Sequence, residues 1–396
     1  MKIINQSTKF FRLFGIAFLS TLGVSSSISA QSGAGNKVLI VSGGGARGAW
    51  GVGVVENLIQ TSRGYKAVFG TSTGSLTAPL TLLVQDTALM AYVYTHVTQN
   101  DIFNVNPFTV KETHVNGQPV VTTTMRPGKA FWRLLIGKES LGESKPLLKL
   151  IKAKFTQARF DSIKNLNLQL NVAVTNMTSG HVEIKSSDDC NYADMCDWIW
   201  ASANEPVWMS FLHKDNDSVY ADGGAVQVIP VVEGLNYAFQ KGMDTVDVVI
   251  NNSAQGIDNN WKQKGSWLSG LERLVEIFPN SISNDDVNIA VLMTLLHDSQ
   301  KPRGFGDHDT PPAKGQVNLA PNANNKVVLR IYTMPDNIAI RYRDELGFFP
   351  DAMLNLLSLG RHQTPPPQVY AIDTKTFNES KDYIRRNMHY QMKKYR

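Results

Sequence analysis

The chain has 396 residues, of which 42% are hydrophobic and 18% charged, with a formal charge of +5 at neutral pH. That length buries a large core, and the composition excludes a disordered or fibrous protein. The positive charge is no sign of nucleic-acid binding, because Lys2, Lys9 and Arg12 carry three of those charges in one N-terminal segment without an acid.

That segment continues as an apolar run, Leu13 to Val24, and then as small polar residues ending at Ala30. This is the layout of a secretory signal peptide over residues 1–30, with cleavage expected after Ala30. The run contains Gly15, Ser20, Thr21 and Gly23 and is shorter than a spanning helix needs. No cysteine stands near the cleavage site to carry a lipid anchor. The expectation is an exported protein, periplasmic or secreted. Removing residues 1–30 lowers the formal charge from +5 to +2. In an exported chain, the spacing of Cys190 and Cys196 permits a small disulfide-closed loop; the alternative is two reduced thiols.

From Lys37 onward, strand and helix patterns alternate. Lys37–Ser42 is predicted as a buried parallel strand, Ala49–Ile59 as a helix and Tyr65–Phe69 as the next strand. Leu76–Val97 is predicted as one or two helices, with a kink or restart at Pro79. Residues 100–131, rich in Asn, Thr, Pro and Gly, form a loop or hairpin excursion that is either a lid or a surface insertion. Trp132–Phe155 is helical in pattern, and Leu166–Thr175 alternates as a strand with His181–Lys185 as its hairpin partner. The three tryptophans between Trp198 and Met209 suit a core more than an acyl pocket.

Thr245–Ile250 is a buried strand, Trp261–Leu296 a set of amphipathic helices and Gly304–Gly315 a solvent loop. Lys326–Thr333 is expected as a strand at the sheet edge. Residues 37–335 make one α/β domain with a mostly parallel central sheet, and 336–396 a C-terminal helical extension. The extension ends in a basic segment, Lys381–Arg396, in which Ile384, Met388 and Met392 recur at helical spacing. A last helix packed on the domain with a solvated basic face explains that pattern better than a membrane-surface helix.

Two glycine-rich turns carry the chemistry. Gly70-Thr71-Ser72-Thr73-Gly74 places a serine between glycines where a strand hands over to a helix, the Gly-x-Ser-x-Gly nucleophile elbow. Gly43-Gly44-Gly45-Ala46-Arg47-Gly48 precedes the first helix, and its backbone N–H groups suit an anion: a phosphate or the oxyanion of acyl transfer. Gly43, Gly45 and Gly48 also satisfy Gly-x-Gly-x-x-Gly. A dinucleotide site wants an acid about 20 residues on, closing the second strand. The only acid between Asn36 and Gln85 is Glu56, inside the helix. The dinucleotide reading fails on that point.

The order Gly-Gly-Gly-x-Arg-Gly, Gly-x-Ser-x-Gly and then Asp222-Gly223-Gly224 resembles the patatin-like phospholipases, which are Ser–Asp dyad acyl hydrolases. Ala173–Gly180 and Ala201–Pro206 are secondary matches, so the resemblance spans roughly 37–252. It implies a three-layer α/β/α fold and a phospholipase A or lysophospholipase activity. It implies Ser72 as nucleophile and Asp222 as base, with Gly43, Gly44 and Gly45 as the oxyanion hole. Arg47, Gly70, Gly74 and Gly223 are supporting residues. The partners implied are a lipid ester and a transiently contacted membrane surface, with no nucleic acid, cofactor or metal. Thr73 in the elbow and Pro79 in the following helix depart from the family pattern. One rival is a Ser–His–Asp hydrolase using His297 or His308. The other is a non-catalytic exported lipid-binding module, disfavoured because Ser72 and Asp222 are both present. A metal site at Gly306-Asp307-His308-Asp309 would rest on a single histidine.

Overall fold

A computed structural model describes residues 35–61, 64–83, 86–214, 217–253, 282, 285–286, 326–342 and 344–373. Segment 1–30, expected as a signal peptide, nearly all of the helices expected over 261–296, the loop expected over 304–315, His297, His308 and the basic segment 381–396 lie outside the described residues. The described residues belong to one compact unit spanning Ala34–Arg396.

The first half alternates as its sequence pattern predicts. β1 (Lys37–Val41) leads to α1 (Gly48–Thr61), β2 (Ala67–Thr71) and α2 (Thr73–Leu82). Next come α3 (Thr87–His96) and α4 (Gln99–Ile102), then β3 (Phe108–Val115) and β4 (Gln118–Met125). Helices α5 (Pro127–Leu135), α6 (Lys145–Lys154) and α7 (Gln157–Asn165) follow. The second half holds β5 (Gln169–Asn176), β6 (His181–Ser186), α8 (Tyr192–Ser202), β7 (Leu212–Lys214) and β8 (Ser218–Asp222). It continues with α9 (Val231–Lys241), β9 (Thr245–Ile250), β10 (Lys326–Thr333), α10 (Asp336–Arg341), α11 (Pro350–His362) and β11 (Gln368–Asp373).

Among the described residues the central sheet runs β11-β10-β9-β1-β2-β5-β8-β7, with β6 also on β5. The five strands from β10 to β5 are parallel, and β11, β6, β8 and β7 add antiparallel pairs at the two sides. The period-2 pleat of β1 divides its side chains between two cores. Leu39 and Val41 join one with Trp50, Val55 and Met353, while Val38 and Ile40 join the other with Leu235 and Ala238 of α9. Helices on both faces make the three layers. Asp247, fully buried on β9, is matched by Arg330 of β10 and by the Tyr65 hydroxyl at 2.8 Å, so the buried charge is compensated.

Several expectations are corrected. Lys326–Thr333 is not at the sheet edge: β11 pairs antiparallel outside it, so residues 336–373 are two helices and an edge strand rather than an all-helical extension. α11 crosses α1 closely, with Arg361 clamped on Glu56 at 2.7 Å. Pro79 neither ends nor restarts a helix. α2 runs through it, and the break comes after Leu82. The segment 132–155 is interrupted, because α5 ends at Leu135 and α6 starts at Lys145. Residues 108–125 form a β-hairpin that packs on the 344–347 segment, where the Thr123 N–H donates to Asp344 at 2.6 Å.

Cys190 and Cys196 are free thiols rather than a disulfide. Cys190 sits in the turn before α8 and donates to the Ser186 carbonyl, while Cys196, one turn into α8, points into the core. Trp200 and Trp208 are core residues, and Trp198 stacks edge-on against Tyr220. Among the described residues no helix is long and apolar enough to cross a membrane.

Candidate active site

β2 ends at Thr71, and Ser72 turns the chain into α2 with φ of 54° and ψ of −124°, a conformation few L-residues adopt. The glycines on either side make this possible by close approach. A Cβ on Gly70 would lie 2.4 Å from the Gly74 carbonyl oxygen, and one on Gly74 would lie 2.1 Å from that of Val41. The turn is pinned further by serines. The Ser72 N–H donates to Ser202 Oγ at 2.9 Å, Ser202 Oγ donates to the Ala173 carbonyl at 2.7 Å, and Ser75 Oγ donates to the Ser72 carbonyl at 2.6 Å.

Asp222 is delivered from the other side of β5. Thr71 pairs with Ala173 in the parallel register of β2 and β5, and Asp222 pairs with the next residue, Val174, in the antiparallel register of β5 and β8. Ser72 and Asp222 therefore emerge at one level of the sheet, with the Ser72 hydroxyl near enough to favour the ionised Asp222 carboxylate. The Gly224 N–H donates to Asp222 Oδ1 at 2.7 Å, and the Asp222 N–H donates to the Asn204 carbonyl at 2.9 Å. Burial raises the Asp222 carboxyl to about 7, against the downward pull of the Ser72 and Gly224 hydrogen bonds.

The glycine loop lies at the end of β1, beside the elbow, where a Cβ on Gly43 would be 3.2 Å from Ser72 Cβ. Gly44 and Gly45 take positive φ of 143° and 51°. The Gly43 N–H donates to the Val228 carbonyl at 3.2 Å, so it is committed within the fold. Among the described residues, the N–H groups of Gly44 and Gly45 make no such bond. Arg47 is buried and pairs with Glu345, whose backbone carbonyl accepts the Ala46 N–H at 2.6 Å. Arg47 thus ties the loop to the 344–349 segment from behind.

Gly43, Gly44, Gly45, Ser72 and Asp222 all line one cavity of about 500 Å³. Its walls are largely apolar, with Leu76, Val93, Leu147, Ile151, Phe155 and Met353 among them. A space of this size and lining suits a hydrocarbon chain. Among the described residues no histidine lines it. A second acid does. Glu205 is pushed up to about 8, first by burial and then by the charge of Asp222, so near neutral pH it is a neutral carboxylic acid facing an ionising one.

Glu205, Ser202 and Glu345 are the residues that sequence reasoning did not assign. Ser202 and Glu205 lie within the Ala201–Pro206 stretch already singled out, so their location was signalled and their roles were not. Glu345 carries no local signal, because it reaches the site only through the packing of 344–349 on the glycine loop.

A family model for patatin-like phospholipases matches residues 39–235. Among solved structures, the chain is similar to VipD from Legionella pneumophila at 14% identity, covering 90% of this chain and 75% of that one, with a TM-score of 0.36. That likeness is too loose to bear on the site. A comparison with curated proteins gave no match.

Proposed function

Because the chain carries a patatin-like phospholipase domain over residues 39–235, a family that acts on lipid esters, we propose that it is an exported phospholipase A or lysophospholipase working through Ser72 and Asp222. The placement of those two side chains together in the wall of one apolar cavity is the observation that carries this reading.

A serine hydroxyl attacks a carbonyl only when a base removes its proton. Asp222 lines the same cavity beside that hydroxyl, and desolvation makes its carboxylate more basic than an exposed one. Ser72 Oγ attacks the ester carbon as Asp222 takes the proton. The N–H groups of Gly44 and Gly45 then meet the developing oxyanion, with the positive end of α2 adding favourable potential. Asp222 returns the proton to the departing alcohol, leaving an acyl-serine. Water deprotonated by Asp222 hydrolyses that ester and frees the fatty acid. The apolar wall holds the acyl chain. The N-terminal signal pattern supports export.

The test is hydrolysis of phospholipid and lysophospholipid vesicles and of a soluble short-chain ester. The expected result is fatty acid release by the wild type and none by Ser72→Ala. A folded wild type that cleaves none of these would favour a lipid-binding protein.

A further inference from the structure

Helix α5 is inside out for a protein surface. Phe131, Trp132, Leu134, Leu135 and the following Ile136 are each at least half exposed, from 50% to 63%. The one charged side chain among them, Arg133, is 9% exposed and turned inward, donating to the Ser140 carbonyl at 2.8 Å and to Glu143 at 3.0 Å. Successive helical residues step by about 100°, so Arg133 occupies the face opposite the apolar ones. A surface helix in water normally does the reverse. The arrangement is held in place rather than frayed, because Arg133 clamps the helix to the loop behind it.

That loop connects α5 to the cavity. Leu141 donates its N–H to the Val207 carbonyl at 2.8 Å, and Val207 is 38% exposed and lines the cavity rim. Glu143, which receives Arg133, also lies 4.0 Å from Lys145 at the start of α6. α6 has Leu147 and Ile151 on the cavity wall, and its charged residues are Lys145, Lys149, Lys152 and Lys154, with no acid. The helix with the exposed apolar face and the lysine-bearing helix are thus joined through Arg133, Glu143 and Lys145, with Lys152 also 3.9 Å from Asp197.

We propose that α5 is the element that inserts into the headgroup–acyl boundary of an anionic lipid bilayer, with the α6 lysines meeting its phosphates. The proposal rests on the lipid-ester reading of the cavity, since a bilayer is where such a substrate is found. Aromatic and leucine side chains on one helical face with cations alongside are what an interfacial helix uses. Docking there brings the rim at Val207 to the membrane, so a lipid chain passes from bilayer to cavity with little contact with water.

The experiment uses the full chain carrying Ser72→Ala, so that no lipid is consumed, sedimented with vesicles of phosphatidylcholine with and without phosphatidylglycerol. The combined substitution Phe131→Ser, Trp132→Ser and Leu135→Ser is expected to lower vesicle partition by about tenfold or more, with the thermal midpoint unchanged or raised. Lys145→Ala with Lys149→Ala and Lys152→Ala is expected to abolish the preference for anionic vesicles. Wild-type partition by the triple serine chain overturns the proposal. So does a wild-type dimer in gel filtration that the same three substitutions turn into a monomer without changing vesicle binding, which would make the face an interface between copies. Vesicle binding in this background needs no catalysis, and soluble-ester hydrolysis by the wild type needs no vesicle. The docking and the activity therefore fail separately.

Discussion

Ser72 and Asp222 come together in the wall of one cavity beside β5, although the two residues arrive on strands of opposite sense. Register explains this. Thr71 lies beside Ala173 and Asp222 beside Val174, so a slip of one residue in either pairing would carry one partner to the other face of the sheet.

Removing either partner is expected to stop turnover without unfolding the chain. Ser72→Ala and Asp222→Asn should each reduce kcat/KM on a soluble ester by roughly 10³-fold or more. Circular dichroism should show the native spectrum for both. Residual activity within tenfold of wild type for Asp222→Asn would mean that another group takes the proton.

The pH profile should carry the marks of two carboxyls. Asp222 acts ionised, so kcat/KM is expected to rise through about pH 7 as its raised pKa is passed. Above about pH 8 Glu205 also ionises and places a second negative charge near the developing oxyanion, so the rate should fall. Glu205→Gln should keep the rise and lose the fall. A profile for that variant with the alkaline limb intact would assign the limb elsewhere.

Stability should move against activity. The folded state holds the Asp222 carboxyl above its usual pKa, so its protonated form fits the fold better than its ionised form. Its full contribution is present below the ordinary carboxylate range and is lost as pH rises toward 7. Asp222→Asn is therefore expected to gain on the order of 1–3 kcal/mol at pH 8 and little at pH 4. Ser72→Gly should relieve the strained turn by about 1 kcal/mol, with activity gone. Denaturant melts at the two pH values measure both.

Glu345 reaches the glycine loop only through tertiary packing. Glu345→Ala leaves the buried Arg47 guanidinium without that carboxylate, and a loss of about 2 kcal/mol or more is expected. The Ala46 N–H bond to the residue 345 carbonyl remains, so a fall in kcat larger than the change in KM would show that the ion pair positions the Gly44–Gly45 donors.

The elements that repeat a simple period were readable from the chain. β9 and β10 lie at their expected bounds, because runs such as Val246–Ile250 fit only a strand buried on both faces. The elbow and glycine loop were legible for the same local reason, since their glycines mark places where no side chain fits. What escaped depends on contacts distant in sequence. β11 is an edge strand only because β10 presents a free side to it, and Glu205 owes its raised pKa to burial and to Asp222, which no local pattern describes. The disulfide expectation failed on direction. The residue spacing was permissive, but Cys196 points into the core from α8 while Cys190 turns toward Ser186.

The most direct test of the account is covalent labelling by a serine-directed phosphonate ester, followed by peptide mass mapping. The label should sit on Ser72, form at a rate that rises through about pH 7, and be slowed at least about a thousandfold by Asp222→Asn. His297→Ala combined with His308→Ala should label as the wild type does. If the histidine variant is folded but inert, or if Asp222→Asn labels at the wild-type rate, the Ser72–Asp222 mechanism is contradicted.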